Sequence, residues 1–192
     1  MFFRGPQIQD QEIMLRLLRY RDRDIWNQVR RVNRDWLNEW EATRPDIEGQ
    51  SPLPTYAEMI HFQNKEARAG RSYSFGLWVK ETAAQRYERF IGQVTLGGVT
   101  FGAYRGGHIG YWIDQRYANR GYTTRAVAAL TNYAFTELKL HRIEINLRPE
   151  NLPSQKVAEK AGYIYEGLRP RYLHINGDWR DHSTFIKENP NI

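Results

Sequence analysis

The chain has 192 residues, of which 41% are hydrophobic and 26% charged, a composition that excludes an intrinsically disordered protein and fits one domain with a sizeable core. It contains no cysteine, which excludes disulfides and thiolate chemistry, and no apolar run approaches the ~20 residues that a membrane-spanning helix needs. The net charge of +6 would suit an anionic partner, but the arginines are spread along the chain without a zinc-finger or helix-turn-helix pattern, so we expect no specific nucleic-acid binding.

The N-terminal segment, MFFRGPQIQDQ, lacks the long apolar stretch and the small-residue cleavage site of a secretory signal peptide. We therefore expect a cytoplasmic protein without a membrane segment. Because no internal repeat, low-complexity tract or long linker divides the sequence, a single domain is predicted over residues 1–192.

The first elements predicted along the chain are a strand over residues 12–19 and a helix within residues 21–41. Apolar residues recur in this helix at the spacing of one helix face, namely Ile25, Val29, Val32 and Trp36. We expect its three tryptophans to lie mainly in the core, with the last of them also lining a substrate pocket: Trp26, Trp36 and Trp40. Residues 42–54, rich in proline and glycine, predict a loop.

A second helix is predicted from TYAEMIHFQNKEARAG, because Thr55 is a typical N-cap, Glu58 follows three residues later, and Gly70 can end the helix. Two strands follow. SYSFGLWVK has the alternation of a strand, and RFIGQVTLGGVTF continues the sheet through a Gly-Gly pair that suggests a bulge.

The second half of the chain begins with a fourth strand, GHIGYWID, and a helix over residues 121–139 whose apolar stripe contains Val127, Leu130 and Ala134. HRIEINLR predicts a fifth strand, and NLPSQKVAEKAG predicts a short helix. The last two strands are predicted to form a hairpin that turns at Asn176-Gly177. The order β-α-α-β-β-β-α-β-α-β-β contains a strand-helix-strand crossover, which predicts a parallel pair in a mixed α/β sheet of about seven strands with about four helices.

A polar turn, ANRGYTT, joins the fourth strand to its helix. A helix N-terminus presents unpaired N–H groups, and a tight glycine turn lets a phosphate lie against the backbone. Arg120 adds a positive charge, and Thr123 and Thr124 add hydroxyl donors. The stretch fits a pyrophosphate-binding turn, but it also fits an ordinary strand-to-helix connection.

A second polar helix start lies about thirty residues farther along. Asn151 is a natural N-cap, Pro153 fits the first turn, and Ser154 follows on that turn. Both helices begin where a strand ends, which is where open sheets bind ligands. The two helix starts could therefore face one crevice.

Taken in this order, the segments resemble the GNAT superfamily of N-acetyltransferases, and within it the RimJ/RimL type of ribosomal-protein N-terminal acetyltransferases. The superfamily's acetyl-CoA loop, Q/R-x-x-G-x-G/A, matches at Arg120-Gly121 and departs at Ala118 and Thr123. The pattern N-x-x-S…K-x-G-[FY]…E-G matches at Asn151, Ser154, Lys160, Gly162, Tyr163, Glu166 and Gly167. NGDWRDH resembles the closing hairpin of the RimJ type, and WLNEWE resembles its substrate-side helix.

The resemblance implies a GNAT-like sheet with a V-shaped splay between the fourth and fifth strands, in which acetyl-CoA would lie as the co-substrate. Backbone groups of Tyr111, Trp112 and Ile113 would hold the pantetheine arm and polarise the thioester carbonyl. Asn151 and Ser154 would line the same arm. The implied pyrophosphate-binding residues form one turn: Ala118, Asn119, Arg120, Gly121, Tyr122, Thr123 and Thr124.

The implied reaction transfers acetyl directly to an amine, which requires an oxyanion donor, close positioning and a proton for the leaving thiolate. Many members donate that proton from a tyrosine seven residues after the Asn151 position, where this chain has Ala158. The RimL-type resemblance suggests Ser154 instead; the alternative is a serine that only caps its helix. Glu41 is a candidate base, and the alternative for it is a solvated carboxylate at a helix end.

An α-amine is the acceptor that needs the weakest base, because its pKa is about 7.7–8.0 against about 10.4 for a lysine side chain. The predicted function is therefore acetyl transfer to the N-terminal α-amine of a protein, such as a ribosomal protein. Two alternatives stay open: a small-molecule acceptor (antibiotic, polyamine or amino acid), and a non-catalytic acyl-CoA-binding or ribosome-assembly factor. The sequence also leaves open whether the protein is a monomer or a homodimer.

Four residues in the last hairpin could suggest a metal site: His174, Asp178, Asp181 and His182. Their spacing is not that of metal ligands, and adjacent residues on a strand point to opposite faces. We therefore expect no metal.

Overall fold

A computed structural model describes residues 5–10, 12–79 and 89–192. Its strands are β1 (Gln7–Gln9), β2 (Ile13–Leu17), β3 (Tyr73–Val79), β4 (Arg89–Thr100), β5 (Gly106–Ile113), β6 (Arg142–Leu147), β7 (Ile164–Ile175) and β8 (Asp178–Glu188). Its helices are α1 (Arg23–Val32), α2 (Arg34–Asn38), α3 (Tyr56–Arg68), α4 (Tyr122–Thr136) and α5 (Leu152–Lys160). Lys80, the last residue of the predicted second strand, and parts of the N-terminal segment compared with a signal peptide lie outside the described residues.

The strands form one sheet in the order β1-β2-β3-β4-β5-β6-β8-β7. Neighbours run antiparallel except β5 and β6, which α4 connects, so the predicted crossover and mixed sheet are confirmed. The sheet has eight strands rather than about seven. The strand missed by the sequence is β1, whose three residues pair with β2 but are too few to show a periodicity.

The predicted splay lies between β5 and β6. These strands pair at only three positions, the last being His108 with Glu144. Beyond that point β5 stays paired with β4 as far as Ile113, whereas β6 stays paired with β8 as far as Leu147. The two strands therefore diverge as they approach the starts of α4 and α5, and a gap opens at the C-terminal end of the only parallel pair among the described strands.

The prediction of a single helix within residues 21–41 is wrong, because the helix is interrupted at Asn33 and forms two helices, α1 and α2. The buried Asn33 side chain donates to the Val29 carbonyl at 2.9 Å and accepts from the Gln115 amide at 2.8 Å. These bonds anchor the break to the turn after β5. The predicted apolar face is also partly wrong, since Val29 is 3% exposed but Val32 is 57% exposed. The helix count is thus five among the described residues.

Local signals elsewhere are confirmed. Thr55 and Glu58 form a reciprocal capping box at the start of α3. The β4–β5 register shifts after Gly97, where the bulge was predicted. The last hairpin turns at Asn176-Gly177, both with positive φ, which is the geometry that this pair favours.

The two faces of the sheet carry separate apolar clusters. On one face, α4 and α5 cover the strands, and the predicted stripe of Val127, Leu130 and Ala134 is completely buried. On the other face, α1 and α3 pack over a smaller cluster that includes Trp78 and Phe90. None of the helices within residues 5–10, 12–79 and 89–192 is long and apolar enough to cross a membrane.

Candidate active site

The end of β5 carries the three residues predicted to hold the pantetheine arm. Side chains alternate across a strand, so Tyr111 points toward α5 while Trp112 points to the opposite face and meets Phe90 edge-on. The Ile113 carbonyl accepts a hydrogen bond from the indole nitrogen of Trp36 at 3.1 Å. Helix α2 is thereby attached to the diverging end of β5.

Tyr111 and Ser154 lie together although 43 residues separate them in sequence. The Ser154 hydroxyl donates to the Tyr111 phenolic oxygen at 2.9 Å, and the Tyr111 hydroxyl donates to the Ser154 carbonyl at 3.0 Å. Burial raises the pKa of Tyr111 to about 12, although the Ser154 hydrogen bond opposes this. Tyr111 is therefore a neutral phenol at physiological pH, and it joins β5 to the first turn of α5.

The predicted N-cap of α5 is confirmed, since the Asn151 carboxamide oxygen accepts from the Ser154 amide at 3.1 Å. Asn151 is thus the residue that caps this helix. The Ser154 hydroxyl points at Tyr111 instead of its own backbone, which argues against a purely capping role for this serine.

The turn predicted to bind pyrophosphate lies beyond the end of β5. Gly121 has φ +80° and is the N-cap of α4, and an added Cβ there would meet nothing within 4 Å. Because glycine has no side chain, it leaves the first N–H groups of α4 without a side-chain cap from this position. Arg120 lies over the Tyr117 ring, with its guanidinium 5.4 Å from the ring centre. The turn thus has open space where a side chain of residue 121 would lie, and no side chain within the described ranges caps the start of α4.

The residues of this turn all lie between β5 and the first turn of α4. Asn119, like Gly121, has a left-handed backbone conformation, with φ +60°. Tyr122, Thr123 and Thr124 open α4, and Tyr122 packs against the core. Ala118 ends a short 3-10 turn, Gln115–Tyr117.

A buried carboxylate, which the sequence reasoning missed, holds the beginning of this turn. Asp114 is completely buried and accepts from the Arg116 amide at 3.0 Å and from its guanidinium. Burial by itself raises the pKa of Asp114, but the hydrogen bonds from Arg116 outweigh this and hold the pKa below its usual value. Asn33 fixes the adjacent Gln115 amide from the side of α1. An Asp-x-Arg motif directly after a strand is the local signal that could have found this network.

Replacing Asp114 with asparagine should lower the free energy of unfolding at pH 7 by about 1–3 kcal/mol, because it weakens hydrogen bonds to a charged, buried group. A carboxyl whose pKa is depressed in the folded state stabilises the fold above its unfolded pKa of about 3.9, and this contribution disappears as the pH falls through the folded pKa. The wild-type and Asp114→Asn proteins should therefore converge in urea unfolding as the pH drops from 7 to below 4. The exposed Asp24→Asn exchange is the control, and a difference that stays constant over this range would contradict the role.

Glu41 follows α2, and its carboxylate forms an ion pair with Arg30. The Arg30 guanidinium is in turn 5.2 Å from the ring centre of Trp112. The structure therefore brings Glu41 toward β5, with one carboxylate oxygen bound to Arg30. Its role as a base stays a prediction.

The three tryptophans predicted to be mainly core residues are only half-buried, and each makes a polar contact. The Trp26 indole donates to Gln93 at 3.2 Å, and the Trp36 indole donates to the Ile113 carbonyl. The Arg148 guanidinium lies 5.1 Å from the ring centre of Trp40 and donates to the Glu39 carbonyl at 3.1 Å. The Trp26 ring also packs against the apolar cluster on the side of the sheet opposite α4 and α5.

The segment after α2 is attached to the last hairpin, which nothing in the sequence indicated. Ala42 forms an isolated bridge with Ile175, and the Thr43 amide donates to the His174 carbonyl at 2.9 Å. The Thr43 hydroxyl also lies 2.9 Å from the ring nitrogen Nδ1 of His174. The start of the predicted loop over residues 42–54 is thus joined to the hairpin.

The hairpin residues weighed as metal ligands have other contacts. His174 contacts Thr43, and the ring of the buried His182 lies against Tyr172. Within the part of the chain that the structure describes, no three His, Asp or Glu side chains are grouped to hold a metal ion.

Comparisons with known proteins agree with this geometry. Residues 12–164 match the family model described as "Acetyltransferase (GNAT) domain". A Bacillus subtilis protein named probable N-acetyltransferase YjcK is 37% identical over 163 residues, which cover 82% of this chain and 83% of that protein. The Escherichia coli [ribosomal protein uS5]-alanine N-acetyltransferase is 28% identical over 163 residues, covering 84% of this chain and 80% of that protein. The solved structure of Mycobacterium smegmatis RimJ in complex with CoA-disulfide superposes with a TM-score of 0.82 at 31% identity, covering 98% of this chain and 88% of that one.

Proposed function

The chain belongs to the GNAT acetyltransferase family and is an N-acetyltransferase that uses acetyl-CoA; we propose that its acceptor is the N-terminal α-amine of a protein, such as a ribosomal protein. The observation that carries the site assignment is the divergence of β5 from β6 after His108, with Tyr111 and Ser154 in contact at the gap. We infer that acetyl-CoA binds in this gap, because the diverging edge of β5, the polar start of α5 and the glycine turn before α4 all follow the point where the two strands separate.

We propose that the backbone groups of Tyr111, Trp112 and Ile113 hold the pantetheine arm along the diverging edge of β5. An N–H group on this edge would polarise the thioester carbonyl as the amine attacks. The backbone N–H groups from Gly121 to Thr124 would bind the pyrophosphate, with Arg120 turning away from Tyr117 to add charge. The departures at Ala118 and Thr123 leave these contacts intact, because they are made by the backbone.

Ser154 is proposed as the proton donor. The amine nitrogen forms a bond to the acetyl carbon, the carbon–sulfur bond breaks, and the leaving sulfur takes the hydroxyl proton of Ser154. The serine oxygen then regains the proton that the acylated amine releases through solvent, so the reaction is balanced. Asn151, which fixes the Ser154 amide, would line the arm beside it.

Two observations support a protein N-terminus as the acceptor. The first is the 28% identity to an enzyme named for the alanine of ribosomal protein uS5, together with the likeness to RimJ. The second is the ion pair between Glu41 Oε1 and Arg30, which engages one of the two carboxylate oxygens of this candidate base. An acceptor whose amine has a pKa near 8 needs little help to lose its proton.

We further propose that residues 1–192 act as a single domain in the cytoplasm, where new protein N-termini are made. One sheet containing strands from Gln7 to Glu188 supports the first part. The protein is proposed to work without a metal, since the chemistry above requires only hydrogen bonds and proton transfer.

The proposed acceptor predicts a clear preference at neutral pH. With acetyl-CoA, a peptide with a free α-amine and no lysine should have a kcat/KM at pH 7 at least about tenfold above that of an N-terminally blocked peptide with one lysine. The reason is that about 10% of an α-amine but only about 0.04% of a lysine side chain is neutral at this pH. The rate with the α-amine should rise with pH, reach about half of its maximum near pH 8 and level off above about pH 9. Mass spectrometry would locate the acetyl group.

The alternatives give different results in the same assay. Turnover with polyamines, amino acids or aminoglycoside antibiotics but with none of the peptides would indicate a small-molecule acetyltransferase. Saturable acetyl-CoA binding in calorimetry without any turnover would indicate a non-catalytic acyl-CoA-binding factor.

A further inference from the structure

Ser154 is held at three separate atoms. Its amide donates to the Asn151 side chain at 3.1 Å, its carbonyl accepts from the Tyr111 hydroxyl at 3.0 Å, and its own hydroxyl donates to the Tyr111 oxygen at 2.9 Å. Two of the three contacts are with one side chain that comes from the facing strand. The cap involves only the serine amide. Of the two contacts with Tyr111, one holds the serine carbonyl and the other holds the serine hydroxyl itself.

The direction of each hydrogen bond follows from the number of protons. A phenol carries one proton and a hydroxyl carries one. Because Tyr111 donates its proton to a carbonyl, which can only accept, the phenolic oxygen is left as an acceptor for Ser154. The Ser154 hydroxyl proton is therefore oriented toward β5, the strand along which the thioester is proposed to lie.

We propose that the Tyr111 side chain is a positioning residue for acetyl transfer, which aims the Ser154 hydroxyl into the gap between β5 and β6. This inference rests on the proposed function, because it concerns the proton that Ser154 would donate. Sequence resemblance had implied only a backbone role for Tyr111. When the leaving sulfur arrives, Ser154 exchanges the phenolic oxygen for sulfur as its acceptor, while Tyr111 keeps its bond to the serine carbonyl.

Tyr111 is suited to hold the serine and unsuited to replace it as the acid. Its ring packs against the core cluster covered by α4 and α5, so the hydroxyl position is set by a rigid part of the fold. Its hydroxyl donates its single proton in a hydrogen bond to the Ser154 carbonyl. Burial also raises its pKa to about 12, which makes proton loss from the phenol harder than in water.

A double-mutant cycle tests the coupling. Tyr111→Phe removes both hydrogen bonds to Ser154 and should lower kcat about tenfold, which corresponds to losing the one that orients the serine hydroxyl, with KM for acetyl-CoA changed by less than about twofold. In a Ser154→Ala background the same exchange should cost no further kcat, since the group being positioned is gone. The matched control is Tyr163→Phe, which removes a buried hydroxyl that bonds Thr131 at 2.6 Å; it should leave kcat unchanged.

The results separate this inference from the proposed function. Failure of the wild-type protein to acetylate any amine would overturn the function. If the wild-type protein is active, either of two results would overturn the positioning role. One is that Tyr111→Phe lowers kcat equally with and without Ser154, and the other is that Tyr163→Phe lowers kcat as much as Tyr111→Phe does. Crystal structures of the wild-type and Tyr111→Phe proteins with CoA test the placement without turnover. The Ser154 hydroxyl should face the CoA sulfur in the first and rotate away in the second, and an unchanged rotamer would also overturn the inference.

Discussion

Replacing Ser154 with alanine should lower kcat by about 100-fold, the lower end of what a lost general acid costs. The expected effect is large because the superfamily tyrosine is replaced here by Ala158, and Ala158 is completely buried with no proton to give. Affinity for acetyl-CoA should change by less than about threefold, since the exchange removes a single hydroxyl hydrogen bond and leaves the backbone contacts in place. Turnover kinetics and calorimetry measure the two quantities separately.

Ser72→Ala is the matched control for this exchange. The Ser72 hydroxyl is also partly buried and donates to one backbone carbonyl, that of Leu96, at 3.2 Å, but it lies on the side of the sheet away from the gap between β5 and β6. Its removal should leave kcat unchanged. A Ser154→Ala protein that loses acetyl-CoA affinity and keeps kcat would instead make Ser154 a binding residue.

Replacing Gly121 with alanine should raise the Kd for acetyl-CoA about 10- to 100-fold. At φ +80° a residue with a Cβ is strained by about 1–3 kcal/mol, and relief of this strain would turn the first N–H groups of α4 away from the pyrophosphate. The added methyl group would also enter the open space where the phosphate is proposed to lie. Calorimetry with acetyl-CoA measures the change directly.

Gly102→Ala offers an unusually close control, because Gly102 also has φ +80° and open space around an added Cβ, but it lies in the turn between β4 and β5. Both exchanges should lower the free energy of unfolding by about 1 kcal/mol or more. Only Gly121→Ala should weaken cofactor binding. Equal Kd values for the two variants would show that the turn after β5 is an ordinary connection, the alternative that the sequence left open.

The elements predicted correctly are those with a local cause. The Thr55 capping box, the Asn151 cap and the turn at Asn176-Gly177 depend on residues at most three positions apart, so the residue types alone indicate them. The errors have non-local causes. The break at Asn33 depends on the amide of Gln115, 82 residues away, and no helical periodicity can anticipate such a partner.

The candidate site also has features that the sequence indicated and features that it did not. The order of strand, glycine turn and polar helix start, and the resemblance built on it, followed from the sequence, and they were enough to indicate a splayed parallel pair and an acetyl-CoA site. Three contacts at the site could not be predicted from the sequence, because their members lie 43, 77 and 11 residues apart: Tyr111 with Ser154, Trp36 with Ile113, and Arg30 with Glu41. Such contacts depend on which strand faces which helix.

The sequence by itself therefore determined the type and order of most elements, their caps and turns, and the family of chemistry, because these depend on backbone preferences and on patterns that lie within a few residues. Only the tertiary structure decided where the Ser154 proton points, what occupies Glu41 and what anchors the turn after β5. The physical reason is that a hydrogen bond requires its two groups within about 3 Å, and only the packing of the helices onto the twisted sheet brings side chains from distant parts of the chain to that distance.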